Sequence, residues 1–532
     1  YVMKTNLRND DEVRVAATGY LRITPLEGLQ IEGTAATNYY DLDGQTYTYS
    51  AATGSWAQGE GAASSGGHNK KRRVDNYLLR VVSNYTKSLG KHNLNFMMGA
   101  SAEQSNWGYE TDQTFNKPFP NDAFPESFDG SKLPIGKDIV TKNTPDKMIS
   151  YFGRLQYDFD SKYLLSVSLR RDGGSVFGTN NKWGTFPAIS GAWKISDETF
   201  FKNLNWNFLN MLKLRASYGV TGNKEISRTA AYSMMASSMY AGQFGYTSNT
   251  LGNPDLGWEK AHSTDVAIDL SLFDNRIQLS ADWYTKKTTD LLYQVPVQGA
   301  SGFTTVWDNL GDIKNQGFEI ELNTRNLTGE FNWSTSFNFS YNKNEVLSLG
   351  VDNTPVYSGF NNDNISNILE VGRPINTFYM YEAIGVWRTQ KDIDEYSAAH
   401  GGQPVIFKGA TIKPGDIRYR DVNNDGIFTE EEDRAYLGSP TPTCTYGMTN
   451  TFAYKNFDLS ILLTAQTGGK IFGIIGRAID RPGQGPQTNA FGWWKNAWWS
   501  EEDQGDGKTP YPLSTTTGAT VDSRWLYSSD YL

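Results

Sequence analysis

The chain has 532 residues, a formal net charge of −9, an aromatic content of 14% and a mean hydropathy of −0.53. The negative charge argues against nucleic acid as a partner, and the lone Cys444 excludes a disulfide framework. No run of 18 apolar residues occurs, which excludes a membrane-spanning helix. The four histidines are scattered along the chain, so they form no zinc-binding motif.

The chain opens at Tyr1 with a charged segment, YVMKTNLRNDDE, in place of a signal peptide. We therefore expect the sequence to be an internal piece of a longer precursor.

Pairs of alternating segments separated by turns follow one another along the whole chain. Alternation with a period of two residues is typical of β-strands, and two such segments around a turn predict a hairpin. This pattern predicts roughly 14 strands of about 10 residues, a length that suits a tilted crossing of hydrocarbon. In chain order the predicted pairs are Val13–Thr24 with Gln30–Tyr40, Val74–Tyr85 with Asn93–Ala102, Ile149–Phe159 with Tyr163–Arg170, Thr185–Ile195 with Leu212–Val220, Thr264–Leu272 with Arg276–Thr285, Gly317–Arg325 with Phe331–Tyr341, and Thr443–Tyr454 with Phe457–Gln466.

The hairpin between Gly317 and Lys343 shows the pattern most clearly. One face of its second strand carries Phe331, Trp333, Thr335 and the aromatic residues that follow, while the other face carries only amide and hydroxyl side chains. Such a polar face cannot close a dry core. An apolar outside and a wet inside are typical of a transmembrane β-barrel.

The connectors alternate between short and long, which also favours a membrane barrel. Connectors within hairpins are mostly short, whereas those between hairpins are mostly long and polar, as expected for periplasmic turns and extracellular loops. A β-sandwich or a repetitive adhesin is the alternative, but neither needs all its long loops at one end. The predicted long loops are Asp41–Arg73, Ser105–Met148, Thr221–Trp258, Glu345–Pro442 and Thr467–Arg524.

Several segments resemble the SusC/RagA branch of TonB-dependent outer-membrane transporters. They are NPDLGWEKAHSTDVAIDLSLFDNRIQLSADWYTKKTTDLL (253–292), NLGDIKNQGFEIEL (309–322), GDIRYRDVNNDGIFTEEEDRAYLGSPTPTCTYGMTNTFAYKNFDLSILLTAQTGGKIF (415–472) and DSRWLYSSDYL (522–532).

The resemblance implies an all-β fold, a large antiparallel transmembrane barrel that has 22 strands in the family, of which about 14–15 are expected here. Residues 1–532 would be the barrel portion without its plug domain, with a large extracellular loop region at 345–442. It also implies a place in the outer membrane of a Gram-negative bacterium, a SusD-like surface lipoprotein as partner, and energy supplied through TonB. The expected function is uptake of oligosaccharides; the alternatives are a receptor for peptides or iron chelates, and, in a different class, a calcium-braced surface adhesin.

One motif predicts a metal site. The segment from Asp421 to Glu432 matches D-x-[DN]-x-[DN]-G-x5-E, the spacing of an EF-hand calcium loop. Side-chain oxygens, a backbone carbonyl and a distal carboxylate at this spacing can surround Ca²⁺ in a structural role. The alternative is an Asn/Asp-rich turn that caps its own backbone, because the flank 416–420 is predicted as a strand rather than a helix. The candidate ligands are Asp421, Asn423, Asp425, Ile427, Thr429 and Glu432.

Aromatic residues near the C-terminus are candidates for ligand or partner binding, since aromatic faces stack on sugar rings and also fill protein interfaces. The alternative is packing that makes the loop rigid. The candidates are Trp493, Trp494, Trp498 and Trp499, together with Phe491, and more weakly Trp307 and Tyr357. No arrangement of nucleophile, base and acid can be written for the chain, so it is not expected to be an enzyme.

Overall fold

A computed structural model describes residues 6–48, 66–116, 137–142, 144–240, 243–350, 352–359, 366–429, 432–474, 495–510 and 520–532. Strands dominate these ranges, and the helical elements α1 (Thr199–Lys202) and α2 (Gln390–Ala399) are short, so the all-β prediction is confirmed. No helix in the described part of the chain has the length and apolar character needed to cross a membrane.

Fifteen strands of the described ranges belong to one antiparallel sheet. This number agrees with the roughly 14 strands predicted from the alternation and with the 14–15 strands that the family resemblance implies. They are β1 (Asn6–Leu26), β2 (Leu29–Thr48), β3 (Gly66–Leu89), β4 (His92–Asn116), β5 (Lys137–Lys142), β6 (Asp146–Phe159), β7 (Tyr163–Gly174), β8 (Trp183–Lys194), β9 (Leu209–Asn223), β12 (Glu259–Leu272), β13 (Ile277–Thr289), β16 (Asp312–Leu327), β17 (Phe331–Ser348), β26 (Cys444–Tyr454) and β27 (Phe457–Thr467).

The remaining strands are short and pair among themselves in small sheets. They are β10 (Met234–Tyr240), β11 (Gln243–Thr250), β14 (Leu292–Pro296), β15 (Thr305–Asn309), β18 (Val356–Ser358), β19 (Asn367–Leu369), β20 (Thr377–Tyr381), β21 (Ala383–Val386), β22 (Ile406–Phe407), β23 (Ala410–Thr411), β24 (Ile417–Tyr419), β25 (Arg434–Tyr436), β28 (Lys470–Phe472) and β29 (Leu526–Ser528).

The chain divides into two compact units. The first comprises residues 1–193, 217–262 and 290–309, and its sheet strands run in the order β1-β2-β3-β4-β6-β7-β8, with β5 paired to β4. The second comprises residues 194–216, 263–289 and 310–532, and contains the run β13-β16-β17-β26-β27. In both runs, strands that are neighbours in the sheet follow one another in chain order, as expected for a meander.

Short turns fix the register of the hairpins. Between β6 and β7, Asp160 and Ser161 both have a φ of 54°, and the N–H of Lys162 donates to the carbonyl oxygen of Phe159 at 3.0 Å, which closes a tight turn over residues 160–162. Asp and Ser tolerate this conformation because their side chains hydrogen-bond locally, and the Asp158 carboxylate accepts the N–H of Ser161 at 2.8 Å. The predicted Asp160–Lys162 turn therefore lies where the sequence placed it.

Two predicted loops are wrong in extent, because strands occupy much of them. Within Asp41–Arg73, residues 41–48 pair with residues 66–73, and within Ser105–Met148, β4 continues to Asn116. Cross-strand ion pairs replace the apolar alternation there, with Lys71 Nζ 2.9 Å from the Asp43 carboxylate and Lys70 Nζ 2.9 Å from that of Glu110. Backbone pairing thus continues where the hydrophobic pattern used for prediction has stopped.

The other long connectors contain their own small folds. In the second unit, helix α2 and strands β20–β25 surround a set of buried side chains that we call the loop core. Helix α2 begins at a capping box in which Thr389 and Asp392 satisfy each other's backbone N–H groups. The burial of these apolar side chains stabilises a defined conformation in a connector that is otherwise polar. The loop core consists of Tyr381, Val386, Trp387, Ile393, Val405, Phe407, Ile412, Ile417, Tyr419 and Trp498.

Candidate functional site

The predicted calcium ligands lie together on the segment that joins β24 to β25. The side-chain amide of Asn423 donates to Asp425 Oδ2 at 3.0 Å and to Glu432 Oε2 at 3.2 Å, so three of the predicted ligands meet at one point. Asp421 is directed at the same turn, where its Oδ2 accepts the N–H of Gly426 at 2.8 Å. The flanking elements are strands, as predicted from the sequence.

The other two predicted ligands, Ile427 and Thr429, contact the turn through a backbone N–H and a side-chain hydroxyl, respectively. The N–H of Ile427 donates to Asp425 Oδ1 at 2.8 Å, while its side chain is 60% exposed. The hydroxyl of Thr429 accepts the N–H of Glu432 at 3.2 Å. These contacts fold the segment into a compact turn. Both alternatives, a calcium-binding loop and an Asn/Asp-rich turn that caps its own backbone, require this geometry.

Two residues missed in the sequence hold this segment against the loop core. The hydroxyl of Tyr396, on α2, donates to Asp421 Oδ2 at 2.5 Å. Burial opposes ionisation of the Asp421 carboxyl, but the hydrogen bonds from Tyr396 and from backbone N–H groups outweigh it and lower its pKa. The fully buried Asp433 accepts the N–H groups of Val422 and Thr429, and burial raises its pKa. A tyrosine 25 residues away in sequence gives no local signal of this role.

The donor set of the segment fits a hard cation in chemistry, since all its side-chain donors to a metal would be oxygens. In the described ranges, however, no group of three or more His, Cys, Asp or Glu is arranged to hold a metal ion. Glu430 and Glu431, which complete the acidic run, lie outside the described residues. The calcium site therefore stays a prediction.

The C-terminal aromatic candidates divide into different environments. Trp498 is 9% exposed, belongs to the loop core, and donates its indole N–H to the carbonyl oxygen of Arg388 at 2.9 Å. Trp499 is 50% exposed. Of the others, Phe491, Trp493 and Trp494 lie outside the described residues. Packing thus accounts for Trp498, whereas Trp499 has surface available for a ligand or partner.

Trp307 lies in the first unit, where it packs against a cluster formed by Ala230, Ala231 and Leu256. Its carbonyl oxygen accepts the side-chain amide of Asn253 at 3.0 Å. These contacts hold strand β15 against the NPDLGWE segment, so this segment has a structural role in the first unit.

Tyr357, one of the two weaker candidates in the sequence, lies in a row of tyrosines in the second unit. Its ring centroid is 6.0 Å from that of Tyr379, which in turn is 5.0 Å from that of Tyr436. Tyr357 and Tyr436 are 48% and 40% exposed, while Tyr379 between them is 7% exposed. We call these three residues the tyrosine row.

Charged groups lie at one end of the tyrosine row. The guanidinium carbon of Arg373 is 3.3 Å from the ring centroid of Tyr436, and Arg373 Nε donates to Glu370 Oε2 at 2.8 Å. Burial and a hydrogen bond to Glu370 raise the pKa of the Tyr436 hydroxyl. Flat apolar faces beside fixed polar groups can hold a ligand that has an apolar face and many hydroxyls. Sequence analysis missed Tyr379 and Tyr436 because β20 and β25 are too short to show periodicity.

Comparison with known proteins gives the family. Residues 5–425 match the family described as "TonB dependent receptor-like, beta-barrel". The chain is 34% identical over 416 residues to "TonB-dependent receptor P39" of Formosa agariphila, covering 73% of this chain and 39% of that protein. It is 30% identical over 416 residues to "TonB-dependent receptor SusC" of Bacteroides thetaiotaomicron, covering 75% and 38%.

Solved structures agree on the fold. "Structure of the RagAB peptide transporter" matches with a TM-score of 0.79 at 23% identity, over 99% of this chain and 55% of that one. The chain thus spans about two fifths of the curated relatives' length and about half of this structure's chain.

Proposed function

Because this chain belongs to the TonB-dependent receptor family, we propose that the protein imports oligosaccharides across the outer membrane. In this proposal a SusD-like surface lipoprotein delivers the sugar, and TonB, acting through a part of the protein beyond these residues, supplies the energy.

The resemblance to SusC/RagA transporters is confirmed by the relatives, and the chain is a transmembrane β-barrel sequence of the outer membrane. The apolar face of the sheet therefore contacts lipid and the polar face lines the lumen. Substrate, lipoprotein partner and TonB contact remain parts of the proposal.

The observation that carries the choice of substrate is the tyrosine row with Arg373 and Glu370. A sugar ring offers C–H groups to an aromatic face and hydroxyls to charged groups at its edge. Tyr357 and Tyr436 are each exposed enough to be touched, and Tyr379 between them holds the spacing.

Replacing Tyr357 by Ala should weaken binding of short neutral oligosaccharides about fivefold, because one aromatic stacking face is lost. Tyr436→Ala should act similarly, while Tyr436→Phe should retain the stacking part of the affinity. The measurement is calorimetric titration of the intact purified protein with a panel of oligosaccharides and short peptides.

The control is Tyr246→Ala, an exposed tyrosine of β11 in the other unit, which should leave binding unchanged. Binding of peptides alone would contradict the sugar substrate and leave import by a TonB-dependent route standing. Full sugar affinity in the Tyr357→Ala and Tyr436→Ala proteins would contradict the role of the tyrosine row.

We further propose that the segment Asp421–Glu432 binds Ca²⁺ and braces the surrounding loop. Without a cation its carboxylates repel one another, which opposes order in the segment. Asp425→Ala should therefore increase protease sensitivity between Gly401 and Gly438 and weaken lipoprotein binding, while barrel assembly stays intact. Limited proteolysis and heat-modifiable gel mobility measure these two effects.

A chelator should reproduce the proteolysis pattern in the unmodified protein and add nothing in Asp425→Ala. The matched control is Asp394→Ala, since this carboxylate lies on α2, outside the Asp421 segment, and accepts from Gln390 Nε2 in the same helix at 2.9 Å. A segment that stays equally protected after chelation would show that it is only a turn.

A further inference from the structure

The apolar face of the sheet in the first unit contains an open recess of about 720 Å³ over strands β3, β4, β6 and β7. The strand register places the side chains of Tyr151, Leu155 and Leu169, which line the recess, on one face. Tyr151 pairs with Ala100 and Arg171, and one step along, Gly153 pairs with Met98 and Leu169. The large side chains of this face are exposed, with Tyr151 at 55% and Leu169 at 54%.

Small residues form the floor of the recess. A Cβ added to Gly153 would meet only the carbonyl oxygen of Met97, at 3.6 Å, so the space above this glycine is open. Ser83 of β3 and Ala100 of β4 also line the recess, and Phe96 and Leu155 pair at one end of it. The result is a groove about three strands wide, or roughly 14 Å at the usual strand spacing.

A cation stands at the other end of the groove. The guanidinium carbon of Arg171 is 5.5 Å from the ring centroid of Trp183, whose ring stacks with that of Tyr151. On the opposite face of the same strand, Arg170 pairs with Asp172 at 2.8 Å. In the part of the chain that the structure describes, Arg171 forms no such salt bridge.

The position of Arg171 along β7 sets its depth in the membrane. Tyr163 begins this strand at the short turn, which lies on the periplasmic side of such barrels. About eight residues separate Tyr163 from Arg171, and a tilted strand crosses the hydrocarbon in about 9–11 residues. Arg171, Tyr151 and Trp183 therefore lie near the outer interface, where aromatic girdles occur and lipid phosphates are found.

We propose that this groove binds a phosphorylated glycolipid of the outer leaflet. An acyl chain lies over Gly153 between Leu155 and Leu169, and a phosphate group of the same lipid contacts Arg171. The apolar groove and the Arg171 guanidinium at its end match the acyl chain and the phosphate of an anionic amphiphile. A neutral lipid would match the groove but not the guanidinium.

The test uses the intact protein purified from outer membranes, stripped of lipid in detergent, and titrated with lipid A while native mass spectrometry counts bound lipid. Arg171→Gln should weaken lipid A binding about fivefold, because one charge contact near the membrane surface is lost. Gly153→Leu should weaken it by a similar factor by filling the groove. Dephosphorylated lipid A should bind the unmodified protein as weakly as lipid A binds Arg171→Gln.

Matched controls come from the same sheet. Arg14→Gln removes an exposed arginine that stacks on Tyr40 at 5.1 Å and pairs with Glu12 at 2.8 Å, and Gly19→Leu adds a side chain where nothing lies within 4 Å. Both should bind lipid A normally. If Gly153→Leu fails to show heat-modifiable mobility, Ser83→Leu takes its place.

Equal lipid A affinity in Arg171→Gln and the unmodified protein would overturn the proposal, as would equal affinity for the dephosphorylated lipid. Phosphatidylglycerol binding as tightly as lipid A would overturn the glycolipid and assign the groove to phospholipid.

Discussion

Replacing Asp522 by Asn should destabilise the loop core by about 3 kcal/mol, because it leaves a largely buried cation without its counter-charge. Asp522 is fully buried, and its Oδ2 lies 2.8 Å from Arg524 Nη2, whose side chain is 15% exposed. The same oxygen accepts the hydroxyl of Tyr419 at 2.7 Å. Burial and the neighbouring Asp522 carboxylate raise the pKa of that hydroxyl, so it stays a donor.

Native-state proteolysis in increasing urea measures this change, with cleavage expected first in the segments around α2. The matched control is Glu382→Gln, which breaks an exposed pair with Arg420 next to Tyr419 and should change stability by less than about 1 kcal/mol. Equal effects of the two substitutions would show that burial does not control the strength of the Asp522 pair.

Phe337→Arg should cost about 2–4 kcal/mol if this position lies near the bilayer midplane, because the change puts a charge on the lipid face of β17. In the register Phe337 stands between Leu322 of β16 and Met448 of β26, an apolar row across three strands. Its neighbour Asn338 stands opposite Glu321 on the other face. Asn338→Arg should therefore cost much less, since water and a carboxylate receive the added charge.

Urea unfolding of both variants in lipid vesicles, followed by heat-modifiable gel mobility, measures the difference. The two substitutions are adjacent in one strand and introduce the same side chain, so each controls for the other. Equal tolerance at both positions would contradict the assignment of the odd-numbered residues to lipid.

The sequence predicted the hairpins and their faces because both depend on local properties. Alternation along one strand sets which side chains share a face, and a short turn sets the register, as at Asp160–Lys162 between β6 and β7. The same reasoning found the strand flank of the Asp421 segment and placed its polar side chains in one turn. For these features, neighbours in sequence are also neighbours in space.

Tertiary structure alone decided how far β2, β3 and β4 extend and which of the aromatic candidates are buried. It also decided which side chains surround the Asp421 turn. Ion pairs such as Lys71–Asp43 extend strands whose own sequence no longer alternates. Trp498 and Trp499 are adjacent in sequence, yet one is buried in the loop core and the other is exposed. The tyrosine row joins residues from segments about 20 to 60 positions apart, on strands of about three to five residues. Such contacts depend on how separate segments pack against each other. The periodicity and spacing of residues within one segment do not predict that packing.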